Sequence, residues 1–104
     1  EAAVTTSDTI TFRSLDTFTV TSVRASVQTV SSSGLIDVDV KKNGVTIFST
    51  RITIDSGETT SVSATTPAVL SVTSVVDNDE LTVEVIDDGT GATGLVVAIK
   101  GTYP

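Results

Sequence analysis

The chain contains no cysteine, histidine, methionine or tryptophan among its 104 residues. Without cysteine there is no disulfide framework and no thiol nucleophile, and the redox compartment is left open. The further lack of histidine removes the commonest general base and the usual soft metal ligands. Any catalysis would rest on carboxylates, hydroxyls and amines alone, so no catalytic machinery is expected. Cations are scarce as well: six Lys and Arg stand against thirteen Asp and Glu, for a formal charge of −7. No basic cluster exceeds Lys41-Lys42, too little to neutralise a run of phosphates, and nucleic acid is not an expected partner. The longest apolar run, Leu95 to Ile99, falls far short of the ~18 residues of a membrane span, and no membrane partner is expected.

Large side chains are few, the aromatics being Phe12, Phe18, Phe48 and Tyr103. What is abundant is Thr, Val and Ile, at 20, 17 and 7 residues. These β-branched types lose χ1 freedom in helices and suit a pleated, half-buried surface, so strands are expected nearly throughout. The chain begins at Glu1 without an initiator Met, and residues 1 to 7 are small and polar. The reading expects a loosely held arm over 1–7, one sandwich domain over 8–104, and an upstream segment: a cleaved leader, a processed assembly segment or the rest of a longer polypeptide.

Alternation of Ile10 and Phe12 with Thr9 and Thr11 marks a first strand. From Phe18 the apolar residues fall on even positions, then switch to odd ones at Val23, Ala25 and Val27, the parity change that a β-bulge produces. After the turn signal Ser31-Ser32-Ser33-Gly34, Ile36, Val38 and Val40 alternate with Asp37, Asp39 and Lys41. Asn43-Gly44 then suits the two positive φ values of a type I′ hairpin turn. That register sets Lys42 against Val45, Val40 against Ile47 and Asp39 against Phe48. It places Val38, Val40, Val45 and Ile47 on the core face and leaves Phe48 on the polar face with Asp37 and Asp39. Ile52 and Ile54 continue the alternation to the turn at Asp55-Ser56-Gly57-Glu58. The stretch from Ser61 to Ala64 reads as an edge strand or loop, and Pro67 puts Ala68 to Val72 at a strand start or an edge. Leu81, Val83 and Val85 mark another strand, and Gly94 to Tyr103 the last. Seven or eight short strands with turns every 8–12 residues or so predict an all-β, antiparallel two-sheet β-sandwich of jelly-roll-like form.

The candidate functional residues divide by chemistry. Calcium takes oxygen ligands, and Asp77-Asn78-Asp79-Glu80 and Asp87-Asp88-Gly89 supply them, making Asp77, Asp79, Asp87 and Asp88 the Ca²⁺ candidates. Turn formation accounts for the same residues without a metal, since Asp and Asn side chains bond to nearby backbone. Asp37 and Asp39, at i and i+2 on one strand face, could meet the ~5–9.5 Å spacing of a glycoside-hydrolase pair. They equally make an ordinary solvated face, and no Trp offers a sugar platform. Phe48 on a polar face is an aromatic that would anchor a partner. Together with Asp37, Asp39, Glu1 and Val4 it forms the expected interface.

The strings Asp37-Val38-Asp39-Val40 to Lys42-Asn43-Gly44 and Ile47-Phe48, then Ile54-Asp55-Ser56-Gly57-Glu58, Asp77-Asn78-Asp79-Glu80-Leu81-Thr82-Val83 and Gly94-Leu95-Val96-Val97, occur in an order that resembles a β-sandwich module of tailed-bacteriophage structural proteins. The likeness covers residues 20 to 102 and lies mainly in turn signatures between strands. It implies a non-enzymatic module at the virion surface, a capsid decoration or a tail or fibre component. Such a module assembles with itself, a trimer being one such assembly, and with a larger capsid or tail protein. The other reading kept open is a carbohydrate- or host-receptor-binding sandwich that uses the loops Asp77 to Glu80 and Asp87 to Gly94.

Overall fold

The computed structural model describes residues 3–103. Among them ten strands make an all-β sandwich: β1 (Thr9–Arg13), β2 (Phe18–Ser26), β3 (Ile36–Lys42), β4 (Val45–Thr46), β5 (Phe48–Thr50), β6 (Ile52–Ile54), β7 (Val69–Leu70), β8 (Ser74–Val75), β9 (Glu80–Asp88) and β10 (Val96–Thr102). The larger sheet runs β1-β9-β3-β4, with β6 also on β3; the smaller runs β10-β2-β8, and β5 and β7 form a separate pair. Every pairing is antiparallel. β2 with β10, β3 with β9, and β5 with β7 are nested around one another. The chain is thus folded double about a short 3-10 turn at Ser61–Ser63.

Alternation built the core as expected for half-buried strands. Ile36, Val38, Val40, Ile52 and Ile54 are fully buried, with Ile36 opposite Ile54 and Val38 opposite Ile52. Val20, Val23, Ala25 and Val27 meet them from the other sheet. Each such branched side chain contributes about 1.5–3 kcal/mol by leaving water. The parity change in β2 is a bulge: Ser22 lies opposite Lys100 and Val20 opposite Gly101, so Thr21 is the extra residue.

The Asn43-Gly44 turn forms, with φ of 52° and 86°. Its hairpin holds for one step past the turn and then departs from the expected register. Lys42 pairs with Val45 and Lys41 with Thr46, and the Ile47 N–H donates to the Val40 carbonyl at 3.0 Å. There the return strand leaves β3. The Ile47 carbonyl accepts from Ser71 N at 2.8 Å and Val72 N at 3.1 Å, so β5 takes β7 as its partner before β6 rejoins β3. A segment that reads as one strand is therefore three. This break, with the two-residue strands β7 and β8, lifts the count above the expected seven or eight. The Ser61–Ser63 segment is helical and not an edge strand, its start held by the Thr60 hydroxyl accepting from Val62 N.

Candidate functional site

The largest sheet ends at β1 and the smaller one at β10, and among the described residues neither strand has a partner on its outer side. The sandwich is therefore open along this flank. Between the two edges lies a groove of about 190 Å³ lined by Ile10, Phe12, Val83, Val85, Val97 and Ile99. These are inward-facing residues of both sheets, so the groove is the core itself reaching the surface. It continues past Phe12 toward Leu15, Phe18 and Tyr103. Ile10 is 66% exposed, Phe12 41% and Leu15 91%. Exposed apolar side chains are common singly, but here they form a row along the open core.

The described residues among those expected at an interface, Phe48, Asp37, Asp39 and Val4, lie elsewhere. Phe48 is only 4% exposed and belongs to the hydrophobic core, opposite Leu70 of β7. The expectation of an exposed aromatic is corrected, and the cause is the exchange of strand partners at Ile47, which buries two successive residues. Val45, expected in the core, is exposed at the hairpin tip instead. Asp39 is likewise no surface residue, at 4% exposure. The Thr46 hydroxyl donates to its Oδ1 and accepts from the Phe48 N–H at 3.2 Å, so one hydroxyl both satisfies the buried carboxylate and starts the turn into β5. Asp37 is half-buried and held by Arg51, whose Nε and terminal nitrogen reach its two oxygens at 3.0 and 2.9 Å. That two-point bond and the carboxylate charge push the Arg51 pKa above its ordinary value. Val4 is buried, its N–H donating to the Ala92 carbonyl at 3.0 Å, and Ala3 bridges to Thr93. Ala3 and Val4 of the expected arm thus contact the domain; Glu1 lies outside the described residues.

The four calcium candidates do not converge. Asp77 and Asp79 precede β9, while Asp87 and Asp88 end it, which separates the pairs by roughly 26 Å of strand. The loops Asp77 to Glu80 and Asp87 to Gly94 stand at opposite ends of β9 in the same way. Among the described residues no three carboxylates gather closely enough to hold a metal ion. Asp79 works as a turn former: its oxygens accept from Val76 N at 2.9 Å and from the Asn43 amide at 3.1 Å. The bond from Val76 N, and after it that from Asn43, hold its pKa below the ordinary value against desolvation and with help from Lys42. Asn43 in turn accepts from Glu80 N at 3.0 Å, so the hairpin tip and this loop brace each other. Asp87 accepts from Gly89 N at 3.2 Å, again a local turn bond. At this end the buried Ser31 is the hub. Its hydroxyl accepts from Thr90 N at 2.9 Å and donates to the Gly34 carbonyl at 2.7 Å, and its own carbonyl accepts from Gly57 N at 2.9 Å.

The seam residues Ile10, Phe12, Leu15, Val97, Ile99 and Tyr103 escaped the sequence reading as site residues. Their alternation marks strands, but nothing local says that β1 and β10 are both edges. The usable signal was negative: residues 9–13 contain no proline, and their one charge is Arg13 at the end. No family model, no curated protein and no solved structure matches the chain.

Proposed function

We propose that the chain is a non-enzymatic structural module of a bacteriophage particle, placed at the virion surface as a capsid decoration or a tail or fibre component. In this reading it works by packing against copies of itself and against a larger capsid or tail protein. The observation that carries the assembly role is the open apolar seam between β1 and β10, where the core is left uncovered along two unpaired strand edges. A small domain with few large side chains gains stability by covering such a surface through assembly. The ordered turn signatures from Asp37 to Val97, which resemble those of tailed-phage virion modules, support the particle setting. An acidic, cysteine-free surface also suits a protein that must stay dispersed until it assembles.

The test is physical presence in particles. Purified virions from the source, examined by peptide mass spectrometry and by antibody labelling of intact particles, should carry the chain at a fixed stoichiometry and accessible from outside. Its absence from particles, or particles lacking it that keep their normal mass, stability and infectivity, would overturn the reading.

A further inference from the structure

The backbone of β1 specifies a partner. The Asp8 carbonyl accepts from Val85 N at 3.2 Å and Ser14 N donates to the Asp79 carbonyl at 2.9 Å. Hydrogen-bonded pairs alternate in an antiparallel ladder, so Ile10 with Val83 and Phe12 with Leu81 are the bonded pairs between them. Thr9, Thr11 and Arg13 therefore point their N–H and C=O groups away from β9, off the open edge of the sheet. An edge strand of this kind is a template for a further strand, and β1 has no proline or bulge and one charged residue, Arg13, at its end. β10 is a poorer template, with Lys100 on it and a register break at Lys100/Gly101.

We propose that the strand added there is β1 of a second copy, running antiparallel about a two-fold axis at Thr11, so that the larger sheets of two chains become one. Only one register uses all three outward residues: Thr11 against Thr11 of the second copy, and Thr9 against Arg13 in both directions. It makes up to about six backbone hydrogen bonds. The same register puts Ile10 against Phe12 of the second copy, twice, at the closely spaced non-hydrogen-bonded positions. Such aromatic to β-branched pairs favour a sheet, and here they cover the two apolar side chains that a single chain leaves exposed.

Charge points to the same occupant. The protein carries −7 overall, yet its edge strand holds no carboxylate and a single cation, Arg13. Arg13 lies opposite Glu80 within its own sheet, with its guanidinium 3.5 Å from that carboxylate. Across the new seam it faces Thr9 of the second copy, whose neighbour in the next strand is Glu84. Each outer row then reads Glu80, Arg13, Thr9, Glu84, with the cation between carboxylates of both copies and the small threonine leaving it room. No two like charges meet directly across the pairing. The contact is a short one, below the size of a standard stable interface, and suits copies held at high local concentration on a particle.

This inference rests on the assembly reading above by naming the first partner of the seam. Because the native chain has no cysteine, a single Thr11→Cys change gives a unique probe. A two-fold at Thr11 sets the two Cα atoms ~5.5 Å apart, within disulfide range, whereas Thr9→Cys pairs would stand ~13 Å apart along the strands. Under oxidised glutathione the full-length Thr11→Cys chain should form a covalent dimer and Thr9→Cys should not. Light scattering of the unmodified chain should show the mass doubling as concentration rises to roughly a few hundred micromolar. Thr11→Pro removes an N–H that its own sheet does not use, so the circular dichroism should be unchanged while dimer dissociation rises at least about a hundredfold.

Failure of Thr11→Cys to cross-link above Thr9→Cys, or mass that stays monomeric to ~1 mM, overturns the pairing, as does cross-linking to a different particle protein. If Thr11→Pro unfolds, the cysteine pair still decides. A chain found in virions but not cross-linked at Thr11 would sink only the pairing. A cross-linked dimer absent from virions would sink only the particle reading.

Discussion

Replacing Thr46 with valine keeps the shape of the side chain and deletes one hydroxyl, and that hydroxyl sits where the chain changes strand partners. It donates to Asp39, a buried carboxylate, and accepts from the Phe48 N–H. A hydrogen bond to a charged group contributes about 1.5–3 kcal/mol, and leaving a buried N–H without an acceptor costs about 1–3 kcal/mol more. The expected loss is about 2.5–6 kcal/mol, a large part of the ~5–15 kcal/mol that a domain of this kind has in total. With ~4–8 °C per kcal/mol for a chain of this size, Tm should fall by roughly 10 °C or more. Urea titration followed by far-UV circular dichroism measures it, since the chain has no tryptophan to report by fluorescence. Amide exchange at Phe48 should accelerate in parallel. Thr46→Ser retains the hydroxyl and should cost no more than about 1 kcal/mol for the lost methyl group. A Thr46→Val protein within about 0.5 kcal/mol of the native one would refute the claim that this hydroxyl holds the turn into β5.

A second prediction contrasts two glycines of positive φ. A Cβ on Gly89, at φ +59°, would run into the Ser31 hydroxyl, whereas one on Gly44 at φ +86° meets nothing within 4 Å. Gly44→Ala should cost only the ~1–2 kcal/mol of the left-handed backbone, and Gly89→Ala clearly more, because the Ser31 hub must also shift; equal melting temperatures would refute this. A third concerns pH. The Asp79 pKa is depressed in the folded chain, so its stabilisation is fully present above the unfolded value of ~3.9 and is lost as pH falls through the lower folded value. Carboxyl NMR should show Asp79 titrating below the ordinary range and moving up in Asn43→Ala; an ordinary midpoint in the native protein would contradict the assignment.

Much of the fold could be read locally. The Asn43-Gly44 turn, the bulge in β2, the edge position of the segment after Pro67 and the alternating residues of β3, β6 and β9 all follow from signals within a few residues. Period-two alternation reports which side of a strand is apolar, and turn chemistry reports where it ends. Asp79 and Asp87 were likewise legible as residues whose carboxylates bond to nearby turn backbone.

What the sequence by itself determined, then, is where most of the longer strands run, most of their faces and most of the turns, because these depend on backbone sterics and on side chains close along the chain. The tertiary structure decided which strands are neighbours. The capture of the Ile47 carbonyl by Ser71 and Val72, 24 and 25 positions away, buried Phe48 and broke one expected strand into three. The placing of β1 and β10 at the ends of two different sheets left Ile10 and Phe12 exposed, although their pattern is that of core residues. An edge is defined by the strand that is missing beside it, and that is a property of the assembled sheets and not of any one segment.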